Sequence, residues 1–275
     1  MIYCFDTSAI NQLNDDTERK ALLAGLLAAH SVYVTAVNCI EAMGTSTDER
    51  RQKLQVLLRE LARGLDPLAL PFDLLKSQTI DYAAGRSRPP STKLTYGMSV
   101  DDYFRLEGKA KEEVQDLKRR WEKSFEVFGR VRPIFEQKFK DGDAERPPSF
   151  AALIREHYKE KAFLFSIMED VYTITGEKLE ASKLAEFFVG VPEWPVVLLG
   201  LAYASYARSM KKEGYSRRGK AGAVDLWSFT YLPHIDVFVT HDNDQFRALR
   251  LANIVNSRET KALRYNEFRQ RLLIG

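Results

Sequence analysis

Short apolar runs alternate with helix-spaced leucines at both ends of this chain, and the rhythm changes in between. Met1 to Phe5 is an apolar run with the β-formers Ile2, Tyr3 and Phe5, ending at Asp6. Such a run reads as a buried strand of a parallel sheet. From Thr17 to about His30, Leu22, Leu23, Leu26 and Leu27 recur at helical spacing. Val32-Tyr33-Val34 is a second strand, and Thr35 is a suitable N-cap for a helix carrying Ile40, Glu41 and Met43. Strand, helix, strand, helix predicts a doubly wound α/β sheet.

The alternation stops after about Gly64. Gly85 to Ser91 reads as a loop, Val100 to about Lys140 as a long charged helical stretch, and Asp141 to Asp143 with Pro147-Pro148 as a break. Helical patterns follow over Phe150 to Thr173 and Glu180 to Val189. Near Pro195 the α/β rhythm returns, with helices over Val196 to Lys211 and Ala223 to Tyr231 and a strand over Ile235 to Thr240. An amphipathic segment follows from Tyr265 to Leu273. The pattern predicts one discontinuous α/β domain, residues 1–64 and 194–275, interrupted by a mostly helical insertion at 65–193.

Composition adds little to this picture. The 275 residues are 45% hydrophobic and 29% charged, as in ordinary globular proteins. A net charge of +3 does not name a partner. Cys4 and Cys39 have no His or Cys at ligand spacing and read as buried, reduced thiols, which fits a cytoplasmic protein. Asp6 and Asn11 interrupt any signal-like apolar stretch, and Val196 to Ala207 is shorter than the ~20 residues of a membrane span, so no membrane partner is expected.

Carboxylates change it more. Asp6 ends the first strand, and Asp242 and Asp244 follow the strand ending at Thr240, where open α/β sheets bind their ligands. Asp225 opens a helix after Gly219 to Gly222, and Glu41 lies early in the helix after the second strand. Each alone is an ordinary cap or turn residue. Gathered in one crevice they would need a counterion, and an oxygen-rich, histidine-poor set suits Mg²⁺ or Mn²⁺.

Ile2 through Asp6-Thr7-Ser8 to Ile10 resembles the opening of PIN-domain nucleases. Val34-Thr35 through Glu41-Ala42, Gly222 through Asp225-Leu226-Trp227, and Val239-Thr240-His241-Asp242-Asn243-Asp244-Gln245-Phe246 are similar to the later acidic stations of that family, in the same order. Tyr265-Asn266-Glu267-Phe268 resembles its final helix start. The resemblance implies a PIN-like fold and a metal-dependent nuclease, with Asp6, Glu41, Asp225 and Asp242 as catalytic metal ligands and Asp244 as a further one. Ser8 and Thr240 would support the site by hydrogen bonding, with RNA favoured as substrate. A homodimer and an antitoxin-like protein partner stay open. The large helical insertion departs from compact members of the family.

Lys211, Lys212, Arg217, Arg218 and Lys220, just before Asp225, form a basic run suited to a phosphate backbone. Arg86, Arg88 and Lys93 make a second basic loop with Tyr96. Two alternatives stand beside the nuclease. One is an inactive PIN-fold module that binds RNA or protein. The other is a haloacid-dehalogenase-like phosphatase, which needs an acid where this chain has Ser8.

Overall fold

The apolar run at the start of the chain becomes strand β1, Ile2–Phe5, and in the computed structural model it is one of two central strands. The structure describes residues 1–86, 94–106, 112, 161–210, 227–256 and 258–274. Strands β2 (Ser31–Tyr33), β3 (Val237–Thr240) and β4 (Lys261–Arg264) complete an all-parallel sheet ordered β2-β1-β3-β4. β1 and β3 are covered on both faces, so they read in sequence as unbroken apolar runs. β4 lies at an edge and exposes Lys261 and Arg264, charges that blunt an edge against further pairing. Tyr3, Cys4 and Phe5 pair with Val237, Phe238 and Val239, so the two ends of the chain build one sheet.

The α-helices, in chain order, are α1 (Thr7–Asp15), α2 (Arg19–Ala29), α3 (Ala36–Met43), α4 (Asp48–Ala62), α5 (Pro71–Ala83) and α6 (Val100–Arg105), then α7 (Lys161–Thr175), α8 (Leu184–Gly190), α9 (Glu193–Met210), α10 (Asn243–Ala252) and α11 (Tyr265–Ile274). Side chains alternate across a strand. Tyr3, Phe5, Val237, Val239 and Leu263 therefore share one face, where they pack with Leu13, Leu22, Leu57 and Phe268 of α1, α2, α4 and α11. Cys4 and Phe238 point to the other face, against Val196 and Val197 of α9, Phe229 and Tyr231 of a 3-10 segment (Ser228–His234), and Leu249 of α10. Both cysteines are buried and unbonded.

Residues 65–86 and 94–105 are stitched to the sheet. Leu70, Val100 and Tyr103 share the core of β1, and the Leu68 backbone bonds to Val34 and Ala36. A separate cluster joins α5, α7 and α8 through Leu75, Ile167, Val171 and Phe187 to Trp194, whose indole donates to Thr79 at 3.0 Å.

Several local expectations shift. α1 and β4 carry weak sequence signals: α1 buries only Ala9, Ile10 and Leu13 among polar neighbours, and β4 has a single fully buried residue, Leu263. Where a helix was expected up to Tyr231, residues 228–234 form a 3-10 turn, and Pro233 has no N–H to extend an α-helix. Strand β3 starts at Val237 rather than Ile235; just before it, the Asp236 side chain accepts the Ile2 N–H at 2.7 Å and pairs with Arg258 at 2.6 Å. Among the described residues, no helix is long and apolar enough to cross a membrane.

Candidate active site

Strand order decides where a site can form. β2 lies on one side of β1 and β3 on the other, so the chain's crossovers diverge beyond the carboxyl ends of β1 and β3. A crevice at such a point is where open α/β sheets bind ligands. Asp6 follows β1 directly and Asp242 lies two residues beyond β3.

Both aspartates are held as helix caps. One Asp6 carboxylate oxygen accepts the Ala9 N–H at 2.6 Å, closing the first turn of α1. One Asp242 oxygen accepts the N–H groups of Asp244 and Gln245 at 2.7 and 2.8 Å, closing the first turn of α10. A negative cap is favoured there by the helix dipole. For Asp242 this fixes Oδ1 and leaves Oδ2 to face other groups.

Two hydroxyls join the aspartates. Thr240 Oγ1 lies 2.6 Å from Asp6 Oδ2 and accepts the Asp242 N–H at 3.0 Å. Ser8 Oγ lies 2.9 and 2.7 Å from the two Asp6 oxygens and accepts the His241 N–H at 3.0 Å. A hydroxyl has one proton, so Ser8 serves one Asp6 oxygen at a time and a lone pair stays open for a further partner. Burial pushes the Asp6 carboxyl up to about 6, hydrogen bonds from Thr240, Ala9 and Ser8 oppose that rise, and the Asp242 charge adds to it.

Glu41 enters from α3. It is half-buried and lines the same small cavity as Asp6, together with Thr35, Asn38, Ser228 and Gln245. The cavity holds about 20 Å³, room for a single water-sized group. Among the described residues its rim carries no histidine and its carboxylates Asp6 and Glu41 make no ion pair, and Asp6 is desolvated. A hard divalent ion fits that donor set better than zinc does. Among the described residues, no group of three or more His, Cys, Asp or Glu side chains could by itself hold a metal. Asp225 lies outside the described residues, as do Lys211, Lys212, Arg217, Arg218 and Lys220.

No known protein family, curated protein or solved structure matches this chain significantly.

The site includes two residues the sequence reading passed over, Asn38 and Gln245. Asn38 is buried, donates to the Phe5 carbonyl and to Thr7 Oγ1, both at 3.2 Å, and accepts the Thr35 N–H at 2.9 Å. It thereby ties the start of α3 to the turn that carries Asp6. The Gln245 carbonyl oxygen lies 2.7 Å from Thr240 Oγ1, and its amide donates to Ser228 at 3.1 Å. A local signal existed for both amides. Asn38 follows Thr35 by three and Gln245 follows Asp242 by three, the spacing of a capping box. Of the pair, Asn38 closes that box, while Gln245 turns to the sheet.

Asp244 is exposed, 3.8 Å from Arg247 on the outer side of α10. His241 is exposed too, its ring set edge-on to Tyr265. In the second basic loop Arg86 pairs with Asp81 at 2.9 Å and the Tyr96 hydroxyl donates to Asp73, while Arg88 and Lys93 lie outside the described residues.

Proposed function

We propose that this chain is a Mg²⁺- or Mn²⁺-dependent nuclease with a PIN-like fold, and specifically an endoribonuclease. The observation that supports the reading is the bond from Thr240 to Asp6, which ties Asp6, on the cavity that Glu41 also lines, to the strand end that carries Asp242. In this reading Asp6, Glu41, Asp225 and Asp242 hold the cation, with Asp244 at the outer margin. When bound, the cation supplies an activated water and neutralises charge at phosphorus. Ser8 and Thr240 aim the Asp6 carboxylate, and the α10 cap aims that of Asp242. The basic run Lys211, Lys212, Arg217, Arg218 and Lys220 grips the strand. Residues 1–64 and 194–275 form the nuclease domain, and 65–193 flank it and select substrates.

The test is cleavage of a generic RNA and a single-stranded DNA by purified full-length protein in Mn²⁺, against EDTA. Asp225→Asn removes one ligand and should slow cleavage ~10²-fold or more. Wild type that binds RNA yet cuts neither substrate would replace this reading with a non-catalytic binding module. Equal rates for wild type and Asp225→Asn would remove Asp225 from the site.

A further inference from the structure

We propose that Arg264 and Arg250, mounted on the ring of Phe246, clamp backbone phosphates of a nucleic-acid strand beside the carboxylate cavity; the identity of the ligand rests on the nuclease reading. The placement comes from sheet register. Phe5 pairs with Val239, and the Asp6 N–H donates to the Val239 carbonyl at 3.0 Å, so Asp6 and Thr240 end neighbouring strands level with each other. Thr240 in turn pairs with Arg264. Asp6, Thr240 and Arg264 form one row across the carboxyl ends of β1, β3 and β4. Adjacent strands lie ~4.8 Å apart, so the Arg264 backbone stands roughly 10 Å from that of Asp6. That offset places it beside the reacting position, where a neighbouring part of the strand would run.

The side chains are arranged for anion binding. The guanidinium carbon of Arg264 lies 4.4 Å from the Phe246 ring centroid, and that of Arg250 lies 5.9 Å from it. Both arginines are exposed while Phe246 beneath them is buried. A guanidinium resting on an aromatic face is held stiffly and loses water from that face, yet its N–H edge remains free for bidentate contact with phosphate. The neighbouring cations have carboxylate partners: Arg247 with Asp244, Arg258 with Asp236, Arg269 with Asp16. Among the described residues, Arg250 and Arg264 make no such ion pair: the nearby Glu267 carboxylate accepts the Arg264 backbone N–H at 3.0 Å instead, and the two like charges share one ring. A strand phosphate pairs with both.

The experiment is equilibrium binding of a short labelled oligouridylate to the full-length protein in EDTA, as a function of salt. Arg264→Ala and Arg250→Ala should each flatten the slope of log affinity against log salt by ~0.7, and the double variant by ~1.4, whereas Arg264→Lys keeps the slope. Both side chains are exposed, so melting temperatures should match the wild type's and show that the variants are folded. Slopes equal to the wild type's in both alanine variants, or a wild type whose affinity ignores salt, overturn the clamp. The same oligonucleotide in Mn²⁺ separates the two claims. Slope loss without wild-type cleavage keeps the clamp and removes the nuclease reading, while cleavage with unchanged slopes does the reverse.

Discussion

Thr240 and Asp6 stand 234 positions apart in the chain, yet the threonine hydroxyl lies 2.6 Å from the aspartate carboxylate in a buried setting. The same hydroxyl accepts the Asp242 N–H and faces the Gln245 carbonyl oxygen. One side chain thus links both aspartate caps and the start of α10.

Thr240→Ala should therefore strip a buried Asp6 oxygen of one of its two hydroxyl partners and leave the Asp242 N–H without its side-chain acceptor. Stranding such groups costs about 1–3 kcal/mol, and Thr240→Ser, which keeps the hydroxyl, should recover most of it. Urea denaturation of the three proteins reads the difference. An alanine variant as stable as the wild type would mean the bond does not hold the two ends together.

Asp6 makes stability depend on pH in a direction opposite to most paired carboxylates. Its folded value of about 6 lies above the ordinary 3.8, so the stabilising contribution is complete below pH ~4 and is lost as pH rises through about 6. The loss is about 3 kcal/mol at most. Asp16 and Asp236 are held low by hydrogen bonds and arginines and act in the opposite sense, so the informative quantity is wild type minus Asp6→Asn. In EDTA that difference should fall between pH 4 and pH 7. At pH 7, millimolar Mn²⁺ should raise the melting temperature of the wild type and move the variant less, since a ligand of the folded state stabilises it by mass action. A difference that stays flat with pH would show that Asp6 is not desolvated as the structure has it.

Asn38 is expected to act on the site without touching substrate. Asn38→Ala removes the donors to Phe5 and Thr7 and the acceptor for Thr35, and should cost about 2 kcal/mol in unfolding free energy. Because α3 also carries Glu41, the variant should cleave more slowly and need more Mn²⁺ for half-maximal rate. A stability loss with an unchanged Mn²⁺ requirement would confine Asn38 to holding the fold.

Local pattern was enough for the elements whose burial is continuous. β1 and β3 are apolar runs because both faces are covered, α2 has leucines at helical spacing, and Thr35 announces α3 by its cap. The placement of Asp6 and Asp242 just beyond strands was legible for the same reason. Elements with few buried positions were not: α1 and β4 bury too little to leave a period, and their existence depends on what they pack against. Nor does any local rule say that β3 pairs with β1 rather than β2. That choice brings Asp6 to Thr240, and it is made by side-chain packing and hydrogen bonds between residues more than 200 positions apart. The sequence alone determined which residues could be strand ends, caps and acids. Only the tertiary structure decided that Asp6, Thr240, Asp242 and Glu41 share one edge and that Arg264 joins their row. Register is a property of paired strands, not of either strand by itself.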